Sequence, residues 1–289
     1  MELDTYNLAA CKLKGVLEMK IKTLGTAAAE GIPGIFCNCR ICTHAREHGG
    51  KNIRTRSQSI INDKYLVDFP MDAYMHSLIH NIDLHEIHHI LITHPHEDHF
   101  YPQDMELRCP PYGHGNEKQF LNVYGPGSIH QLFPNFPNEK NREYVKLHIL
   151  KAFETYTVGD LQITPMNALH ARHFECFLYL IEHRGKKLLY GHDSGFFPQE
   201  TMEYLKNNHV DCALCDTTSG NKIDGNNHMG IRDVIRQREI MIEAGCADER
   251  TRFVLTHLSH NGGLTHAQLE QAAAENGFLA AYDGFELEF

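Results

Sequence analysis

The residues best able to do chemistry stand together in Thr93-His94-Pro95-His96-Glu97-Asp98-His99. His94, His96, Asp98 and His99 fall within six positions, directly after the apolar run Ile90-Leu91-Ile92. Imidazoles and a carboxylate crowded into a strand-end loop are ligands for divalent cations. Once more ligands arrive from elsewhere, one cation would be over-supplied, whereas two adjacent cations can use them all. The chain holds 22 histidines, so chance clusters must occur. A His-x-His-x-Asp-His run is far more specific than a histidine pair, and it reads as a two-metal site. Such pairs activate water for attack on a phosphoryl or carbonyl centre.

Cys37-x-Cys39-x-x-Cys42 places three thiols at a spacing that can wrap one structural zinc. A fourth tetrahedral position is then left for a ligand distant in sequence; the competing reading is three buried or free cysteines. Cys212 and Cys215 lie on one strand, where residues three apart face opposite sides, so they read as core. His85, His88 and His89 precede the central motif and read as structural or exposed. Tyr101, Tyr112 and His114 follow it in an irregular region, Pro102 to Pro111 and Gly113 to Gly115, that could cover the site as substrate contacts.

The elements that must position these groups follow from periodicity and punctuation. Alternation in Lys20 to Leu24 predicts a half-buried strand. Ser57 to Asn62 and Tyr65 to Phe69 predict a hairpin turning at Asn62-Asp63-Lys64, with a helix over 71–80. Further strands are expected at 121–124 and 145–150, at 156–166 and 177–190 as two hairpins, and at 210–215, 253–256 and 282–287. Helices are expected from Ser128, over 198–208, 231–244 and 265–276. Residues 1–18 show no clear period and form a lead-in, and 19–289 read as one domain.

Composition narrows the class. The chain has 289 residues, with 27 Lys and Arg against 37 Asp and Glu, a formal charge of −10. No basic run offers a footprint for nucleic acid, and no stretch reaches the roughly 18 apolar residues of a membrane span. Nine cysteines, an odd number, suit a reduced, cytoplasmic setting better than a disulfide framework. The acidic start Met1-Glu2-Leu3-Asp4 lacks the basic character of a signal peptide.

His94-x-His96-x-Asp98-His99 resembles the signature of the metallo-β-lactamase superfamily. The resemblance implies an α/β fold, a four-layer αββα sandwich with a dinuclear site at one end of its two sheets. Carried residue by residue, it implies that His94, His96 and His170 hold one metal, that Asp98, His99 and His257 hold the other, and that Asp193 bridges them. His173 competes with His170, because the Arg172-His173-Phe174-Glu175 insert departs from the usual spacing. Strand-end Asp68 takes the place of an acidic residue that orients a ligand histidine or the loop; an N-cap role is the alternative. His192 stands where smaller residues are more usual. An echo of Ile-Leu-Ile-Thr-His94 in Val-Leu-Thr-His257, and of Asp68 in Asp193, suggests two related halves, each supplying a sheet.

The cysteine insertion, followed by Ala45-Arg46 and a basic stretch through Arg54 and Arg56, resembles the PhnP-type phosphodiesterases within that superfamily. This further resemblance implies that His260 completes the Cys37, Cys39 and Cys42 zinc. It also implies that His228 faces the site, binding the substrate phosphate or serving as general acid, where a helix N-terminal polar residue is the plainer reading. Asp98, His228 and Asp68 are the residues assigned to the chemistry beside the ligands. The expected activity is hydrolysis of a small or cyclic phosphate ester by a hydroxide held between two divalent ions, zinc, manganese or iron. Thioester or lactone hydrolysis and a PqqB-like non-catalytic accessory role are the alternatives. The expected partner is a small-molecule substrate and, at most, a second copy of the chain as a homodimer, with neither membrane nor nucleic acid.

Overall fold

The computed structural model describes residues 18–116, 119–132 and 143–289; the lead-in over 1–17 lies outside them. Among the described residues the strands form two sheets of seven. The first comprises β1 (Lys20–Gly25), β2 (Gln58–Ile61), β3 (Tyr65–Val67), β4 (His89–Leu91), β5 (Leu121–Gly125), β6 (Val145–Ile149) and β14 (Glu286–Glu288). The second comprises β7 (Tyr156–Val158), β8 (Leu161–Asn167), β9 (Phe177–His183), β10 (Lys186–Gly191), β11 (Cys212–Asp216), β12 (Arg252–Thr256) and β13 (Leu279–Ala280). Apart from β14, which returns to pair with β1, each half of the chain builds one sheet, as the internal echo predicts.

Both halves run the same course. A hairpin with left-handed residues at its tip, Asn62 and Asp63 in one and Arg184 and Gly185 in the other, leads into parallel strands. Two consecutive positive φ angles are what a tight hairpin turn needs to match the twist of its strands. Helices α2 (Ala73–His80), α3 (Gln199–Leu205), α4 (Ile231–Glu243) and α5 (His266–Glu275) make the crossovers between parallel neighbours. α1 (Arg40–His48), unforeseen in sequence, grows out of the cysteine cluster.

Strand alternation produces the layers. On β9, Phe177, Tyr179 and Ile181 fill the space between the sheets, while Leu178 and Leu180 face the helices. On β4, Leu91 points between the sheets and Ile90 outward. Cys212 and Cys215 fall in different core clusters on opposite faces of β11, as expected. The four-layer αββα sandwich follows, and no helix of the described residues is long and apolar enough to cross a membrane.

Three cross-sheet bonds fix the halves near one end. The Phe177 amide donates to Thr93 O at 2.9 Å, Tyr179 Oη to Ile92 O at 2.6 Å, and Tyr190 Oη to Ser59 Oγ at 3.1 Å. The first two grip the residues that lead into His94.

The strand expected over 282–287 is a turn followed by β14. Gly284 sits at φ 94°, and the Asp283 carboxylate accepts from Thr26 Oγ1 at 2.7 Å and Thr55 N at 2.6 Å, so the chain is bent there rather than extended. The helix expected from Ser128 is a 3-10 turn over Gly127–Leu132.

Candidate metal centre

Five parallel strands deliver the site at their C-terminal ends, where strand termini of open α/β sheets gather ligands. Asp68 follows β3, His94 to His99 follow β4, Asp193 follows β10, Asp216 ends β11 and His257 follows β12. Asp68, Asp193 and His257 have φ of 65°, 57° and 57°. A side chain in the left-handed region costs energy, on the order of 1–3 kcal/mol, and such positions concentrate at functional sites. Here the reversal turns each side chain inward.

The structure brings the predicted ligands into one buried cluster. His94, His96, His170 and Asp193 lie within mutual reach of one cation, and Asp98, His99 and His257 form a second group beside them. Asp193 Oδ2 lies 3.1 Å from His94 Nε2, 3.1 Å from His99 Nε2 and 3.8 Å from His257 Nε2, and Oδ1 lies 3.2 Å from His170 Nδ1. Its carboxylate thus faces both groups. His173, the competitor for His170, is exposed and outside the cluster.

The donor set fits cations. Ring nitrogens approach each other at 2.8 Å (His94 to His96), 3.1 Å (His96 to His170) and 3.3 Å (His99 to His257). Nitrogens around one tetrahedral zinc stand about 3.3 Å apart. Buried Asp193 Oδ1 has histidine nitrogens nearby yet accepts no hydrogen bond. Close approach without hydrogen-bond geometry is how ligands converge on an ion.

Outer contacts orient the rings, as metal-bound histidines require. His99 Nδ1 donates to Asp68 Oδ2 at 2.7 Å, while Asp68 Oδ1 accepts from Thr93 N and Thr93 Oγ1 at 2.8 and 2.9 Å. Asp68 thus fastens both the ring and the loop; Asp72, not Asp68, is the residue before α2, and its carboxylate accepts from Arg56. His257 Nδ1 meets Thr218 Oγ1 at 2.7 Å.

His228 stands at the edge of the cluster. Its Nδ1 is 3.1 Å from Asp216 Oδ2 and 3.3 Å from Asp193 Oδ1. Burial would lower its pKa, but the bond to Asp216 and the neighbouring carboxylates overcome this and raise it to about 9.

Asp216 was missed in sequence. It is fully buried and accepts from the amides of Asp193 at 3.0 Å, Thr218 at 3.0 Å and Met229 at 2.9 Å. Its oxygens lie within reach of a shared cation with Asp193, His228 and His257, and they are occupied in holding the Asp193 amide and His228. The available signal was a third strand-end aspartate echoing Asp68 and Asp193. His192 is buried against His257, ring centroids 5.2 Å apart, with neither nitrogen hydrogen-bonded. His114 lines a separate apolar cavity of about 500 Å³ against the first sheet. Neither it, Tyr101 nor the exposed Tyr112 belongs to the described lining of the metal cavity; the 3-10 turn over Pro102–Arg108 packs Met105 into the outer core instead.

The second metal pattern also closes. Cys37, Cys39, Cys42 and His260 gather in one group, with His260 Nδ1 at 3.6 and 3.5 Å from the Cys37 and Cys39 sulfurs. The edge between sulfur and nitrogen around a tetrahedral zinc is about 3.6 Å. A Cβ at Gly34 would come within 3.2 Å of both Cys37 and His260, so glycine lets the loop close. Burial opposes ionisation of Cys39, yet the Cys42 amide and neighbouring groups bring it down to about 6, while burial pushes Cys42 up to about 11. Replacing Cys42 with serine is expected to remove one zinc per chain and lower Tm by at least about 5 °C. Unchanged zinc content by elemental analysis would rule this site out.

A family model described as a beta-lactamase superfamily domain matches residues 65–271. A curated octanoyltransferase of Porphyromonas gingivalis (strain ATCC BAA-308 / W83) is 26% identical over 279 residues, 93% of this chain and 51% of that protein. The chain therefore spans about half the length of that relative. Among solved structures, a diphosphatase from the PhnP family superposes with a TM-score of 0.72 at 22% identity, covering 94% of this chain and 97% of that one. Zinc-bound PqqB from Methylobacterium extorquens gives 0.65 at 20%, covering 93% and 99%.

Proposed function

The chain belongs to the beta-lactamase superfamily, and from that premise we propose that it is a metal-dependent hydrolase acting on a small phosphodiester, open-chain or cyclic. One arrangement carries the reading. The ligand cluster borders a cavity of about 680 Å³ whose lining includes His228, held on Asp216 beside the bridging Asp193. That volume suits a small molecule.

When bound, two divalent cations supply an activated water and neutralise charge that builds on the phosphoryl oxygens. His94, His96 and His170 would hold one, Asp98, His99 and His257 the other, and Asp193 both. Asp68 and Thr218 keep His99 and His257 in orientation. His228 would hand a proton to the departing alkoxide, and Asp216 fixes which ring nitrogen faces the acid and which is left for substrate. Thr218, Ser219, Ser259 and Asn261 add polar groups to the lining of the same cavity, with the three hydroxyls donating to Asp216, Asp224 and Glu30. The donor set suits zinc, manganese and iron alike.

A second reading is hydrolysis of an acyl ester or thioester. The curated relative named octanoyltransferase favours it, and the same activated water attacks a carbonyl.

The test is turnover of bis(4-nitrophenyl) phosphate by protein of known metal content, beside His96→Ala. Hydrolysis by the wild type that disappears in the variant is expected. Cleavage of a 4-nitrophenyl acyl ester alone would replace the first reading by the second. Inertness toward both, in metal-loaded protein, would leave a binding or accessory role.

A further inference from the structure

The segment between β11 and α4 carries His228, and its backbone is packed so closely that it forms a built wall. Gly220, at φ 53°, lies against Gly262; an added Cβ would meet the Gly262 carbonyl oxygen at 2.4 Å. A Cβ at Gly230 would strike Lys222 O at 1.9 Å, and one at Gly195 would strike Asn226 O at 1.9 Å. Hydrogen bonds complete the clamp, from Ser219 N to Met229 O at 3.0 Å, Lys222 N to Ser219 O at 2.9 Å and Asn221 N to Gly262 O at 3.2 Å.

This wall presents Lys222 to the metal cavity. The other charged groups of the lining are largely engaged. Arg56 pairs with both oxygens of Asp72 at 3.1 Å and donates from Nε to Ala29 O at 2.8 Å. Glu30 is bonded to Ser259 and stands 3.5 Å from His260 Nε2. Asp98 and Asp193 face the histidines, and Glu97 is the one acid of the lining that is exposed without a partner among the described residues. Lys222 is exposed, and its ammonium makes no hydrogen bond or ion pair among the described residues. A cation on a fixed backbone beside an anion-handling centre, and not spent on a neighbouring acid, is left to attract an anionic group of the ligand.

We infer that Lys222 forms a second anion subsite, binding a carboxylate or phosphate that the substrate carries away from its reacting phosphorus. The inference rests on the phosphoester reading of the same cavity. It narrows the substrate class to phosphate esters with an additional anionic group.

Calorimetric titration of the zinc-loaded chain with propylphosphonate and 3-phosphonopropionate tests it, because the two differ by one terminal carboxylate. The wild type is expected to bind 3-phosphonopropionate roughly five- to tenfold more tightly. Lys222→Ala should erase that preference and Lys222→Arg should keep it. A wild type that binds both alike, or a Lys222→Ala protein that still discriminates, overturns the inference. If neither phosphonate binds, the subsite is also refuted; bis(4-nitrophenyl) phosphate turnover by the same preparation then tells whether the phosphoester reading falls with it.

Discussion

Asp193→Ala should abolish turnover and release both cations of the histidine cluster while leaving the cysteine zinc in place. Asp193 is the residue whose two oxygens face both ligand groups, at 3.1 Å from His94 and His99 and 3.2 Å from His170. Alanine removes the shared anion and leaves imidazoles crowded together with nothing between them. Loss of at least about 10³-fold in kcat/KM, or about 4 kcal/mol of transition-state stabilisation, is expected. Elemental analysis should show a fall of two metal equivalents per chain. Because alanine tolerates the left-handed backbone at φ 57° less well than aspartate, some fall in Tm is expected, and a retained circular dichroism spectrum separates loss of metal from loss of fold. Retention of both metals with full activity would show that the cluster is not a bridged pair.

The second large effect is expected from His228→Ala, and its signature lies in the leaving group. A residue that donates a proton to a departing alkoxide matters little when the leaving group is 4-nitrophenolate, which departs without help. It matters by roughly 10²–10⁴-fold when the leaving group is a simple alcohol. The variant should therefore lose much more on an alkyl phosphodiester than on bis(4-nitrophenyl) phosphate. Asp216→Asn should cost activity on both substrates, since one of its carboxylate oxygens, each of which accepts a backbone amide, becomes an NH2 group beside Asp193 N or beside Thr218 N and Met229 N. Equal losses from His228→Ala on both substrates would mark His228 as a phosphate-binding group and remove it from proton transfer.

The central ligands were readable because they are contiguous. His94, His96, Asp98 and His99 share one loop after one strand, so their spacing already encodes their proximity. Asp68, Asp193 and His257 were readable through the superfamily resemblance, which implies an orienting acid or a ligand where those apolar strands stop. The echo between the halves also follows from local order, since each half repeats a hairpin before its parallel strands.

Asp216 shows where such reasoning ends. In sequence it is another aspartate at a strand end, and its role depends on amides from positions 193, 218 and 229 meeting at one carboxylate. Lys222 is similar: an exposed lysine in a polar segment acquires meaning only when glycine contacts to distant backbone hold that segment beside the metals. The last strand was misplaced because Asp283 is held by Thr26 and Thr55, more than 220 positions away.

Alone, the sequence determined the superfamily, the layered α/β order and the residues able to ligate metal, because strand periodicity and ligand chemistry are local properties. Tertiary structure decided which carboxylate orients, whether His170 or His173 enters the cluster and which lysine and arginine line the cavity. Those outcomes depend on distances between segments that only the packing of the two sheets brings together.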